Sequence, residues 1–200
     1  MAAVPLLAQM QNKAEFSATG SHFFGTEIVQ FTAITQDGTV FHPTVRLLDA
    51  TTYGARFGYL LSREIEPEIE WFHAGTNLFY SGGAPTGPGV TSPPVTLDYF
   101  LAGLSYNLTE GPVRPYAAAS AGALRFEESL PAYSQTKFAA ALGFGVKFFV
   151  LQHLALRVEG RALASAAGEN FLGSIHGTTL SKTKSWLING QLGGGLVLGL

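Results

Sequence analysis

Over residues 137–148 the chain alternates with a period of two. Phe138, Ala140, Leu142, Phe144, Val146 and Phe148 fall on one side, and Lys137, Ala139, Ala141, Gly143, Gly145 and Lys147 on the other. That period belongs to an extended strand, in which successive side chains point to opposite faces of a sheet. The bulky residues share one side, the small and cationic residues the other. In the wall of a membrane barrel such a strand turns its apolar side to lipid and its polar side to the lumen.

The pattern recurs along the chain. Leu154, Leu156, Val158, Gly160 and Ala162 oppose Arg157, Glu159 and Arg161. Ile69, Trp71 and His73 oppose Glu68 and Glu70, and Tyr53, Ala55, Phe57, Tyr59 and Leu61 oppose Arg56. Near the end, Trp186, Ile188, Leu192, Leu196, Leu198 and Leu200 oppose Ser185, Asn189, Gln191 and Gly193. Runs of this kind predict eight strands near residues 13–24, 51–61, 66–79, 95–108, 114–126, 135–149, 153–164 and 184–200. In the fourth and fifth, apolar residues lie on both faces; the preferred outward set in the fourth is Phe100, Ala102, Leu104, Tyr106 and Leu108.

Composition separates lipid from water as the outer solvent. Charged residues are 13% of the chain and hydrophobic ones 46%, against a globular average of roughly 25% charged. No stretch of 18 or more apolar residues is present to form a spanning helix; residues 185–200 lack charge but are interrupted by Asn189, Gln191 and several glycines. A soluble β-sandwich with an apolar surface fits less well. The net charge of −2 and the lack of a basic cluster point away from nucleic acid. Cysteine is absent, which removes disulfides and thiolate chemistry.

Connections alternate in length. Those after strands two, four and six are short: residues 62–65, 109–113 and 151–152. Those after strands one, three, five and seven are longer: about 25–50, 80–94, 127–134 and 165–183. Up-and-down membrane barrels have short turns on one rim and long loops on the other. An even strand number then puts both termini on the short-turn side, the periplasmic one. The first long connection contains Ile28, Val29, Phe31, Ile34, Val40, Phe41 and Val45 around Asp37-Gly38, a hairpin turn signal; it reads either as a hairpin extending the sheet or as a partly ordered surface loop. Residues 81–94, rich in Gly and Pro, read as a solvated loop.

The expected fold is therefore all-β, an eight-stranded antiparallel up-and-down transmembrane β-barrel over residues 13–200. Residues 1–12 resemble the tail of a secretory signal with a small-residue site near Ala8, without the basic and full apolar regions; a residual signal and a flexible leader are both open readings. The face assignment puts Glu15, Arg56, Glu68, Glu70, Lys137, Lys147, Arg157, Glu159 and Arg161 in the lumen. Opposite charges inside a narrow barrel should pair, because a lone buried charge costs several kcal/mol. The expectation is a plug of salt bridges; a proton or ion path, or an acid–base pair, is the functional alternative. Aromatic residues near strand ends, Phe23, Phe24, Tyr59, Trp71, Tyr80, Tyr99, Tyr106, Tyr116, Phe149 and Trp186, are candidates for interfacial girdles.

Several stretches together resemble the small OmpA/OmpX-like outer-membrane barrel family: Tyr53-Gly-Ala-Arg-Phe-Gly-Tyr59, Pro67-Glu-Ile-Glu-Trp71, Leu104-Ser-Tyr-Asn-Leu108, Arg114-Pro-Tyr-Ala-Ala118, Phe144-Gly-Val-Lys147 and Leu156-Arg-Val-Glu-Gly-Arg161. The resemblance runs from about residue 13 to the end. It implies a bacterial outer-membrane location, contact with outer-membrane lipids and lipopolysaccharide, insertion by the barrel-assembly machinery, and an external ligand reached through long loops. Family members usually end in an aromatic residue; this chain ends in Leu200 after Leu196 and Leu198, a departure that touches assembly more than fold.

No enzyme is expected. G-x-S-x-G, HExxH and phosphate-loop motifs are absent. His22, His42, His73, His153 and His176 are scattered, and neither a metal nor a cofactor is expected. The lipid A deacylase, itself such a barrel, carries His-x-Ser-Asn; the nearest stretch here, Ser174-Ile-His176, is reversed. Lipocalins, soluble barrels, carry an early Gly-x-Trp that this chain lacks. The expected role is structural or in surface interaction, with a small pore or hydrophobic-compound conduit, or a lipid A-modifying enzyme, as alternatives.

Overall fold

A computed structural model of the chain describes residues 13–30, 33–34, 40–42, 44–81, 93–129, 132–167, 182–183 and 185–200. Eight long strands form the wall: β1 (Ala14–Phe24), β6 (Ala50–Tyr59), β7 (Ile65–Ser81), β8 (Pro94–Asn107), β9 (Val113–Ser129), β10 (Ala132–Leu151), β11 (Leu154–Ala166) and β13 (Trp186–Gly199). Each pairs antiparallel with its neighbour, and β13 returns to β1 from Glu15↔Gly199 to Phe24↔Gly190, closing the sheet. Among the described residues, five short strands lie between them in sequence: β2 (Glu27–Gln30), β3 (Ala33–Ile34), β4 (Val40–Phe41), β5 (Thr44–Leu47) and β12 (Lys182–Thr183).

The alternation read from the sequence sets the two faces. Phe144, Leu142 and Ile69 are 73%, 65% and 60% exposed, while Lys147 and Arg157 on the opposite parity are 1% and 2%. The fourth strand, β8, turns Phe100, Leu104 and Tyr106 outward as preferred, and β9 turns Arg114, Tyr116, Leu124 and Phe126 inward.

Tight turns close one rim. Between β6 and β7 the Leu61 amide donates to the Ile65 carbonyl at 3.0 Å, and the Ile65 amide donates to the Ser62 hydroxyl at 3.0 Å. Between β8 and β9 the chain reverses at Gly111, whose φ of 126° lies where a Cβ is not tolerated. The Thr109 hydroxyl donates to the Val113 carbonyl at 3.2 Å across the same turn.

The opposite rim departs from expectation in one place. Residues 127–134, expected as a loop, are mostly strand: β9 runs to Ser129 and β10 begins at Ala132, with Ala132↔Ser129 and Thr136↔Arg125 in register. Residues 124–129 keep the period of two, Leu124, Phe126 and Glu128 buried against exposed Arg125, so the ladder continues past the barrel rim. Of the two open readings of the first long connection, its described residues take the one that extends the sheet. β2 pairs with β5, β5 pairs with the upper part of β7 from Thr44↔Ser81 to Leu47↔Leu78, β12 joins β2, and β3 pairs with β4. The Asp37-Gly38 turn lies outside the described residues, as do the whole of residues 1–12 and most of the 165–183 connection.

Candidate functional site in the barrel interior

Among the described residues, the interior holds a charged layer in the half nearest the short turns, a larger apolar layer above it and a small apolar cluster of Phe149, Ala155 and Val197 at the short-turn end. The base of the charged layer is Lys147 on β10, whose Nζ donates to Glu15 Oε2 on β1 and Glu66 Oε2 on β7, each at 2.6 Å. Above it Arg157 on β11 donates from Nη1 to Glu68 Oε1 at 3.1 Å and from Nη2 to Glu159 Oε2 at 2.8 Å. The Arg157 guanidinium lies 4.4 Å over the Tyr116 ring. Its Nε donates to the Tyr116 hydroxyl at 2.5 Å, and that hydroxyl donates to Glu159.

Arg56 on β6 ties three carboxylates together. Nη1 donates to Glu68 Oε2 at 3.2 Å, and Nη2 donates to Glu70 Oε2 at 2.9 Å and Glu159 Oε1 at 3.0 Å. Arg161 closes the top, with Nη1 at 2.7 Å from Glu70 Oε2 and Nη2 at 2.5 Å from Glu159 Oε1; Ser120 donates to the second Glu70 oxygen at 2.9 Å. Buried charges persist when opposite charges and hydrogen bonds replace the lost water, and planar guanidinium forks meet several carboxylates at once.

Eight of the nine side chains expected in the lumen, Glu15, Arg56, Glu68, Glu70, Lys147, Arg157, Glu159 and Arg161, therefore sit in one layer. Lys137 does not take part among the described residues. It shares the inward parity of β10, half-buried opposite Leu124, ten residues from Lys147 along the same strand, about the length of strand that crosses a bilayer. Sequence reasoning missed Glu66 and Tyr116. Parity was the available signal for both: Glu66 precedes Glu68 and Glu70 on one face of β7, and Tyr116 follows Arg114 on one face of β9.

Glycines make room for these long side chains. A Cβ on Gly58 would meet the Glu66 carboxylate, and one on Gly145 would meet the Tyr116 hydroxyl and the Val158 carbonyl oxygen. Gly145→Val is expected to cost about 1–3 kcal/mol, the usual penalty of overpacking. Gly160→Ala on the outer wall, where the nearest atom is Leu192 Cδ1 at 3.7 Å, is expected to be near neutral. Urea unfolding midpoints in detergent compare the two, and equal midpoints would contradict the tight fit at Gly145.

The upper layer is apolar. Phe72 stacks on Tyr99 at 4.4 Å with 13° between the rings, and Leu97, Leu101, Leu124, Phe126, Leu163 and Leu187 are buried with them. This corrects the girdle expectation for four residues: Phe23, Tyr99, Tyr116 and Phe149 are interior, 8% exposed or less, because their parity faces inward. Phe24, Tyr59, Tyr106 and Trp186 are exposed on the wall; the Tyr80 side chain lies outside the described residues. Between the layers, Gln191 Nε2 donates to Ser21 Oγ at 2.6 Å and Thr52 Oγ1 at 2.8 Å.

A closed eight-strand up-and-down wall with an apolar exterior and an ion-paired interior decides the architecture. The chain has the fold of the small outer-membrane β-barrels. Solved structures agree. Neisserial surface protein A superposes with a TM-score of 0.63 at 15% identity, covering 94% of this chain and 97% of that one. The outer membrane protein AlkL, solved in lipid bilayers, gives 0.57 at 15% identity, covering 100% and 96%. OprG from Pseudomonas aeruginosa gives 0.56 at 12% identity, covering 96% and 99%. No protein-family model matches the chain, and no curated protein matches it in sequence. At these identities the likeness is one of fold, and function has to be argued from this barrel's own residues.

Proposed function

We propose that this protein is an integral barrel of a bacterial outer membrane with a non-enzymatic, structural or surface-interaction role, its lumen closed by the charged layer. The observation that carries the reading is the outer wall. From Phe100 on β8 to Leu108 just past its end, and from Phe138 to Val150 on β10, every outward residue is apolar. At ~3.4 Å per residue and a tilt of ~40°, these spans are roughly 20–30 Å tall, the height of a lipid-facing band. Polar outward residues begin above it, at Asp98 and Thr136.

In this reading the termini and short turns face the periplasm, and the longer connections, with the β9–β10 hairpin and the sheet around β5, face outward to an external ligand. The barrel-assembly machinery would insert the chain, and outer-membrane lipids and lipopolysaccharide would surround it. The test is refolding into detergent followed by planar-bilayer recording. Faster gel migration before boiling than after is expected, with no single-channel steps. Steady conductance steps would overturn the closed lumen, and loss of the mobility difference would overturn the membrane barrel.

The apolar upper layer favours a second reading, a conduit for hydrophobic compounds. A conduit predicts protein-dependent uptake of a hydrophobic probe into reconstituted vesicles; the plugged barrel predicts uptake equal to that of empty vesicles. An unchanged lipid A mass after incubation is the expected result for a non-enzymatic role.

A further inference from the structure

The outer wall is not uniform. On β6, β8 and β9 alanines stand among larger outward side chains, leaving a groove of about 510 Å³ with Ala55, Ala102 and Ala121 in its floor and Phe57, Ile69, Trp71 and Phe100 rising beside them. That volume falls in the range of small-molecule sites, about 300–1,000 Å³. Two residues further toward the long-connection rim, the register aligns an outward polar row: Tyr53↔His73↔Asp98↔Arg125.

The row is built, and the groove is attached to it. Trp71 forms a wall of the groove, and its Nε1 donates to Asp98 Oδ1 at 3.2 Å. His73 Nδ1 lies 3.0 Å from the same oxygen. The Tyr53 ring sits 5.0 Å from the His73 ring and 5.9 Å from that of Trp71. His73 and Asp98 side chains are only 26% and 19% exposed, although they stand on the wall that faces lipid. Arg125 is paired with Glu127 at 2.5 Å.

We propose that groove and row together hold one glycolipid molecule, an acyl chain lying over the alanine floor and a neutral saccharide head group on the polar row. The proposal rests on the lipid-facing reading of the wall given above. The head-group class follows from the row's chemistry. Arg125 and Asp98 already have partners, so the row offers neither a free cation for a phosphate nor a free anion for an ammonium group. Beyond these bonds the Asp98 and Glu127 carboxylates keep lone pairs and the Arg125 guanidinium keeps N–H donors, a combination that suits hydroxyls, which both donate and accept. The aromatic rings beside them present apolar faces to the C–H side of a sugar.

The chain has two tryptophans, which makes the site readable. Trp186→Phe leaves Trp71, in the groove; Trp71→Phe leaves Trp186, on the wall at β13. Each variant is refolded into nanodiscs of brominated phosphatidylcholine, which quenches tryptophan facing lipid. Unbrominated digalactosyldiacylglycerol is then added in increasing proportion, with phosphatidylethanolamine in a parallel series. Trp71 emission is expected to recover at a glycolipid mole fraction roughly tenfold lower than Trp186, corresponding to about 1.4 kcal/mol of selective binding. Phosphatidylethanolamine should recover both alike. Adding Asp98→Asn and Ala102→Leu to the Trp186→Phe protein should abolish the difference while gel-shift migration stays that of a folded barrel. Equal recovery at the two tryptophans, or a Trp71 preference for phosphatidylethanolamine, would overturn the proposal. Failure of either tryptophan to be quenched at the outset would overturn the lipid-facing wall itself.

Discussion

Arg56→Ala is expected to destabilise the barrel by about 3–5 kcal/mol, the cost of breaking a buried charge network from one side. Arg56 on β6 holds Glu68 and Glu70 of β7 together with Glu159 of β11. Its removal leaves Arg157 and Arg161 to neutralise those three carboxylates. The control is Arg125→Ala on the outer surface. Its partner Glu127 is reached at 2.5 Å, but the Arg125 side chain is 58% exposed, and exposed pairs contribute only about 0–1 kcal/mol. Urea titration in lipid vesicles, followed by gel mobility, reads both. An Arg56→Ala midpoint as close to the parent as that of Arg125→Ala would mean that the interior charges are solvated and the lumen is wet.

The other large effect lies on the outside. Leu142→Arg places a cation near the middle of the apolar band of β10, where Leu142 is 65% exposed. Facing lipid at the bilayer midplane, an arginine costs about 2–4 kcal/mol, falling to about 0–1 near the interfaces. Thr136→Arg, three outward positions nearer the rim, should therefore cost much less. In water the expectation is different, because an exposed surface substitution usually stays within about ±0.5 kcal/mol. Unfolding from vesicles of defined thickness gives the comparison. A Leu142→Arg protein as stable as its parent would contradict a lipid-facing wall, whatever the barrel's shape.

The two substitutions separate what parity alone joins. Leu142 and Arg56 were assigned to opposite faces by the same argument, one from a period of two in β10 and the other from the single charge among aromatic neighbours in β6. Parity is decisive where the two faces differ in chemistry. It placed Ile69 against Glu68 and Val158 against Arg157, and the barrel has them so. It weakened in the fourth and fifth strands, because Leu97, Leu101, Leu124 and Phe126 turn inward to an apolar layer while Phe100 and Leu104 turn outward. Two apolar faces carry no sign of which is inside.

Strand number and the faces of most of the charged residues in the wall were thus legible in the residues themselves. A two-residue period survives in one dimension, and turn-forming residues interrupt it locally. The depth of each side chain along the barrel axis was not legible, and neither was the identity of its partners across the lumen. Lys147 meets Glu15 from 132 positions away, and Arg56 meets Glu159 from 103. Such encounters follow from closure of β13 onto β1 and from the stagger of every ladder between them. Lys137 was grouped with Lys147 because both share a face; tertiary structure separated them by height, one half-buried toward the far rim and one in the charged layer. Tyr99 and Tyr116 are different: their parity already faces inward, with Leu97 and Leu101 in one strand and Arg114 in the other. Local sequence specifies which way a side chain points, whereas only the closed, staggered sheet specifies what it meets there.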